Sequence, residues 1–155
     1  MSTLAASEGE PVRIDVQASV HATEELEKVR TALENIFPLD LRSVLNFKTT
    51  NLRGHFHNPI IRIETQLTQS DLVEQTVTAI GQNLTPQDRE QIAKTFASRV
   101  TRKGQLFLRL DKQEAYQGQI RIINRGDSIR LIIRFSGRKP TQRELENHCR
   151  HFKLI

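Results

Sequence analysis

Three segments of alternating apolar residues lie in residues 105–135, QLFLRLDKQEAYQGQIRIINRGDSIRLIIRF. Alternation with a period of two predicts strands over 105–111, 118–124 and 127–135, each with one apolar and one polar face. Only a short turn around Gly126 separates the last two segments, so the sequence predicts that they form a β-hairpin.

The charged run DKQEAYQ (111–117) interrupts this alternation. We interpret it as the connection between the first two of these strands. Ala115 and Tyr116 are expected to pack, whereas Lys112, Gln113 and Gln117 are expected to point outward, beside the polar face of the sheet.

The rest of the chain supplies further strands and several helices. Alternation predicts strands over 11–20, 41–48 and 59–67, with a loop over 49–58. Apolar residues at helical spacing predict helices over 22–37, 70–84, 85–100 and 141–155. The expected caps are Thr23, Ser70, Thr85 followed by Pro86, and a capping box of Thr141 and Glu144. We therefore expect an α+β fold, a mostly antiparallel sheet with helices on one face.

The length of 155 residues fits one domain. We expect a disordered N-terminus over 1–10, one α+β domain over 11–138 and a C-terminal helix over 139–155. Neither a secretory signal nor a membrane span is recognisable, so a cytoplasmic location is expected. The single cysteine, Cys149, excludes an internal disulfide.

Charge is distributed unevenly along the chain. Residues 1–100 carry ten Lys and Arg against thirteen Asp and Glu, whereas residues 101–155 carry thirteen against five. Nine of those thirteen cations are arginine, whose planar guanidinium suits phosphate and base recognition. The basic second half indicates an anionic partner, and nucleic acid fits better than a membrane surface.

Strand alternation places a set of side chains on the face turned away from the helices. These are Arg13, Arg62, Phe107, Arg109, Arg121, Arg130 and Arg134, with the acids Asp15, Glu64 and Asp111. The alternate apolar residues, Leu106, Leu108, Leu110, Ile120, Ile122, Ile129, Leu131, Ile133 and Phe135, are expected to face the helices. The polar face predicts contacts with an RNA backbone, with Phe107 as a surface for one base.

Two other functions stay open from the residues alone. The protein could be an assembly module that binds another protein of an RNA-processing complex. Less favoured is a magnesium-dependent nuclease that uses Asp15, Glu64 and Asp111.

No metal or other cofactor is expected. His55 and His57 on the predicted loop, and His148 with Cys149 and His151 near the C-terminus, lack the further ligands of a complete site.

Two segments resemble a small archaeal family described as predicted RNA-binding proteins or predicted exosome subunits. GHFHNPI (54–60) resembles its Gly-His-x-Gly-Asn-Pro-Ile stretch, with His57 in place of the expected glycine. LRLDKQEAYQG (108–118) resembles its Leu-Arg-Leu-Asp-Lys-Gln-x-Ala-x-x-Gly signature, and HATEELEKVRTALENIFP (21–38) resembles its first helix.

The resemblance implies an α+β fold related to the ribosomal protein that holds 5S rRNA. It also implies RNA binding without catalysis, connected with RNA processing or degradation through the exosome. The motif positions are Gly54, His55, Asn58 and Pro59 in the first segment, and Arg109, Asp111, Lys112, Gln113 and Gly118 in the second.

Overall fold

The computed structural model describes residues 9–53 and 58–155. Their central element is a five-stranded sheet with the strand order β2-β3-β1-β5-β4, in which every neighbouring pair is antiparallel. The strands are β1 Pro11–Val20, β2 Lys48–Arg53, β3 Pro59–Leu67, β4 Gln105–Asp111 and β5 Ser128–Phe135. Residues 1–8 of the segment predicted to be disordered lie outside the described residues.

The helices cover the apolar face of this sheet. They are α1 Leu26–Glu34, α2 Ser70–Asn83, α3 Pro86–Lys94, α4 Phe96–Arg99, α5 Lys112–Tyr116 and α6 Gln142–His151, with a 3-10 helix over Leu39–Val44. Every residue that alternation assigned to the helix side, from Leu106 to Phe135, is buried in the core. The expected α+β class is therefore confirmed. None of the helices within the described ranges is long and apolar enough to cross a membrane.

Helix α6 lies in the helix layer and leaves the polar face of the sheet open. Leu145 and Cys149 of α6 belong to the core, and the ring of His148 stacks on Phe135, with 6.2 Å between ring centroids. The polar face opposite the helices is called the open face below.

The predicted helix starts are correct at two of four places. Thr85 with Asp88, and Thr141 with Glu144, form reciprocal capping boxes at the starts of α3 and α6. The other two helices begin after Glu25 and Gln69, so the predicted caps Thr23 and Ser70 are wrong.

The predicted strand over 41–48 is wrong. Pro38 precedes a 3-10 helix whose Leu41 is buried, and Leu45 just after it is buried as well. The strand that follows, Lys48–Arg53, lies in the predicted loop from its second residue on and is an edge strand paired only with β3. Its residues show no apolar alternation because an edge strand exposed on most sides has few core contacts.

The predicted hairpin between 118–124 and 127–135 is also wrong. Strand β5 pairs with β4 instead, with Leu108 opposite Leu131. Residues 119–123 run along the other edge of β4, where the amide of Asp111 donates to the carbonyl of Arg121 at 2.9 Å. On their far side, the amides of Ile120 and Ile122 donate to side chains of the α2–α3 corner, so the segment is an irregular edge.

The DKQEAYQ run forms the short helix α5 and is packed against α1. Ala115 is 1% exposed, as predicted, and its carbonyl accepts a 3.0 Å hydrogen bond from Asn35 at the end of α1. Tyr116 is exposed, contrary to prediction, while Gln113 and Gln117 are exposed as predicted. The connection therefore belongs to the helix layer and does not lie beside the open face.

Candidate RNA interface

Cross-strand registers arrange the polar side chains of the open face into rows. Arg13 lies opposite Arg134, which lies opposite Gln105. The next row joins Asp15, Ile132 and Phe107, and the third joins Gln17, Arg130 and Arg109. The row that holds Phe107 and Ile132 is thus flanked on both sides by rows that carry arginine.

Two of the predicted arginines are neutralised within their own strands. The guanidinium of Arg13 donates to both carboxylate oxygens of Asp15, at 2.8 and 3.1 Å, and this interaction raises the pKa of Arg13. Arg62 donates to Glu64 at 3.1 Å. Spacing of two residues brings each acid beside its arginine on the same face. These two arginines therefore add little net charge to the open face.

The arginines without an acidic partner lie on the part of the open face that β4 and β5 form together, called the β4–β5 edge below. Arg109 and Arg130 face each other directly across these strands, and Arg134 lies two residues further along β5. All three are exposed, and no carboxylate among the described residues forms an ion pair with any of them. Like charges directly opposite each other destabilise a sheet, so an anion between them would be stabilising.

A cleft of about 670 Å³ opens where this edge meets α4. Arg109, Arg130 and Phe107 line it from the sheet, Arg99 lines it from α4, and Asn124 lines it from the segment that leads into β5. The guanidinium of Arg130 lies over the ring of Phe107, with its Cζ atom 5.3 Å from the ring centroid. We call this cavity the basic cleft. It combines three cations with an aromatic surface.

The structure brings Phe107, Arg109 and Arg130 together, as expected, but it places two predicted cations elsewhere. Arg121 donates to the backbone carbonyl of Asn83 at 3.0 Å, at the end of α2, so its predicted place on the open face is wrong. Lys112 was expected to point outward, yet its side chain is only 10% exposed. Gln113 is exposed but lines a groove between α1 and α5.

The two motif segments have separate structural roles where they are described. Asp111 accepts a 3.0 Å hydrogen bond from the amide of Glu114 and thereby caps α5. Gly118 ends that helix with φ of +87°, a conformation that favours glycine. Asn58 and Pro59 are exposed at the start of β3, whereas Gly54 and His55, together with His57, lie outside the described residues.

Sequence reasoning missed several residues of this surface. Arg99 and Asn124 enter the basic cleft, and Lys103 lines a neighbouring depression with Arg13, Asp15, Gln105 and Arg134. The signal for Arg99 and Lys103 was the run SRVTRKG (98–104), which holds three cations just before β4. Burial lowers the pKa of the Arg99 guanidinium.

The three carboxylates of the nuclease alternative are not brought together. Asp15 and Glu64 are each paired with an arginine, and Asp111 is a helix cap. Within 9–53 and 58–155 the only group of three or more His, Cys, Asp or Glu with ligand atoms within 4.8 Å of one another is His21, Glu24 and Asp127. The ammonium of Lys112 lies between the two acids of that group, 2.6 Å from Asp127 and 3.1 Å from Glu24.

The fold and this face define a class, that of α+β proteins with an arginine-bearing open antiparallel sheet. Residues 13–135 match the model of a family described as RNA binding, and the chain belongs to that family. The predicted family resemblance is therefore confirmed.

Two curated relatives and one solved structure that are similar to this chain come from archaea. The RNA-binding protein PAB1135 of Pyrococcus abyssi is 29% identical over 122 residues, which cover 78% of this chain and 79% of the relative. An uncharacterised protein of Methanocaldococcus jannaschii is 28% identical over 134 residues, which cover 84% of this chain and 89% of the relative. The crystal structure of protein AF2318 from Archaeoglobus fulgidus has a TM-score of 0.77 at 27% identity, covering 92% of this chain and 99% of that one.

Proposed function

We propose that this protein binds RNA without catalysing a reaction and that it contacts the phosphate backbone through the β4–β5 edge of its open face. The observation that carries the proposal is the Arg109–Arg130 pair, two arginines directly opposite each other on neighbouring strands that have no carboxylate partner among the described residues. Membership of a family described as RNA binding supports it.

The arrangement favours backbone contacts over the reading of many bases. Guanidinium groups bind phosphate oxygens in a bidentate manner, and such contacts carry no sequence information. Phe107 is the only aromatic residue among the strand residues that the registers place on this face. A sheet that reads several bases displays two or three aromatic residues. We therefore expect salt-sensitive binding with little sequence preference.

Fluorescence anisotropy of a labelled single-stranded RNA of about 20 nucleotides, titrated with protein, tests this proposal. The double variant Arg109→Ala/Arg134→Ala removes two cations of the edge. It should weaken binding by roughly 100-fold, since each charged hydrogen bond contributes about 1.5 kcal/mol. The slope of log K against log salt should become shallower by about 1.4, at 0.7 per phosphate contact.

The matched control is Arg143→Ala/Arg150→Ala, which removes the same charge from exposed positions on α6 in the helix layer. It should weaken binding only several-fold, through the change in net charge. Equal losses for the two double variants would mean that RNA responds to net charge alone, and the proposed interface would then be wrong.

The non-catalytic part of the proposal has its own test. Asp15 and Glu64 are held by neighbouring arginines and Asp111 by α5, which supports binding over cleavage. RNA incubated with the protein and Mg²⁺ should stay intact on a denaturing gel. Cleavage that disappears in Asp111→Asn would establish the nuclease alternative instead.

We also propose that this RNA binding serves RNA processing or degradation in the cytoplasm, in association with the exosome. The support is the resemblance of residues 54–60 and 108–118 to a family described as predicted exosome subunits. Affinity purification after nuclease treatment should retain exosome subunits, and their loss under that treatment would show that any association runs through RNA.

A further inference from the structure

We infer that the basic cleft is a subsite for one unpaired nucleotide, so that the RNA bound by this protein is single-stranded. The inference rests on the proposed function and deepens it. The phosphate of this nucleotide would lie among Arg99, Arg109 and Arg130, with its base on the ring of Phe107.

The shape of the cleft supports a single nucleotide. Its volume of about 670 Å³ falls within the range of small-ligand sites. Phe107 lies on its sheet side, and α4 and the 123–124 segment form its walls. In a duplex the base faces are stacked on one another, so an aromatic ring inside a cleft could not reach them. An unpaired base can turn out and enter.

The charges of the cleft support a phosphate. Arg99 uses its Nε atom to bond the hydroxyl of Thr95 at 2.7 Å, and its terminal nitrogens form no ion pair with the described residues. Partial burial lowers the pKa of Arg99, because no acid among the described residues compensates its charge. Arg109 and Arg130 add two more cations to the cleft, both exposed and without an ion pair among the described residues. A phosphate would supply the missing negative charge.

The aromatic side of the cleft suits a base. The guanidinium of Arg130 lies over the ring of Phe107, so the two groups form a combined surface of guanidinium and ring. Bases stack on both aromatic rings and guanidinium planes. The side-chain oxygen of Asn124 accepts a hydrogen bond from Gln91 across the wall, which fixes the amide and leaves its NH₂ group to donate to a base edge. The subsite therefore tolerates every base, since each has a stacking face.

Binding to single strands and duplexes of the same sequence tests the subsite by anisotropy. The wild-type protein should prefer the single strand by about 10-fold or more, because only an unpaired base can stack on Phe107. Phe107→Leu, which keeps an apolar side chain but no ring, should remove most of that preference. Its folding is checked by circular dichroism.

Arg99→Ala should weaken single-strand binding by about 10-fold. Its matched control is Arg102→Ala, an exposed arginine three residues away that does not line the cleft. The control should change affinity less than about 3-fold, through net charge alone.

Photo-crosslinking locates the base directly in the unaltered protein. RNA that contains 5-iodouridine should crosslink to the tryptic peptide 104–109, GQLFLR, in which Phe107 is the only aromatic residue. A crosslink confined to other peptides, or equal losses in Arg99→Ala and Arg102→Ala, would overturn the subsite while RNA binding itself stands. Absence of any RNA binding by the wild type would instead overturn the proposed function.

Discussion

The ammonium of Lys112 joins three segments that are far apart in sequence. It donates to the backbone carbonyl of Ser19 at 2.7 Å, to both carboxylate oxygens of Glu24 at 3.1 Å, and to Asp127 at 2.6 Å. These partners belong to the end of β1, the approach to α1 and the turn before β5. We predict that Lys112→Met destabilises the fold strongly.

The expected cost follows from the exposure of the partners. Removing one member of a buried ion pair costs about 3–5 kcal/mol. The side chains of Glu24 and Asp127 are 28% and 43% exposed, so water partly replaces the lost cation. The expected cost therefore lies at the lower end of that range. Methionine keeps a stem of similar length, so the loss reflects the charge. We expect about 3 kcal/mol, or a fall in Tm of roughly 6–12 °C for a chain of this size.

Urea unfolding followed by circular dichroism measures this free energy. Lys94→Met is the matched control, because Lys94 makes a 3.0 Å ion pair with Glu90 whose side chains are 73% and 64% exposed. The control should cost about 0.5 kcal/mol or less. The reasoning is refuted if the two variants have the same free energy of unfolding.

Two further predictions concern the packing of the helix layer. Gly81→Ala should cost about 2 kcal/mol in thermal unfolding, because the added Cβ would lie 2.0 Å from the carbonyl oxygen of Phe152. The control is Gly118→Ala, whose added Cβ would meet nothing within 4 Å. It should cost only about 1 kcal/mol, because Gly118 has a positive φ. Burial raises the pKa of the Cys149 thiol from 9.0 to about 12. The unfolded thiol therefore ionises first, and stability falls by up to about 1.4 kcal/mol per pH unit between pH 9 and 12; Cys149→Ala should lack this slope, and an equal slope in that variant would contradict the assignment.

Local pattern was sufficient for the parts of the fold that depend on local geometry. Alternation in β1, β3, β4 and β5 identified the strands and the core side of each, because side chains of a strand alternate wherever it is placed. The capping boxes of α3 and α6 were readable because their partners are three residues apart. The arginines of the second half include Arg109, Arg130 and Arg134, which alternation assigned to the polar face and which the strand registers place there.

The tertiary structure decided which charges remain available on that face. A sequence pattern does not specify strand order, so it could not show that β5 pairs with β4, that Arg109 faces Arg130, or that α4 brings Arg99 beside them. Nor could it show that Lys112 turns inward. Arg13 and Arg62 pair with acids two residues away in their own strands, but the ion pairs of Lys112 and the opposition of Arg109 to Arg130 join groups that are far apart in the chain and meet only in the fold. The free charge of the surface is what remains after both kinds of pairing.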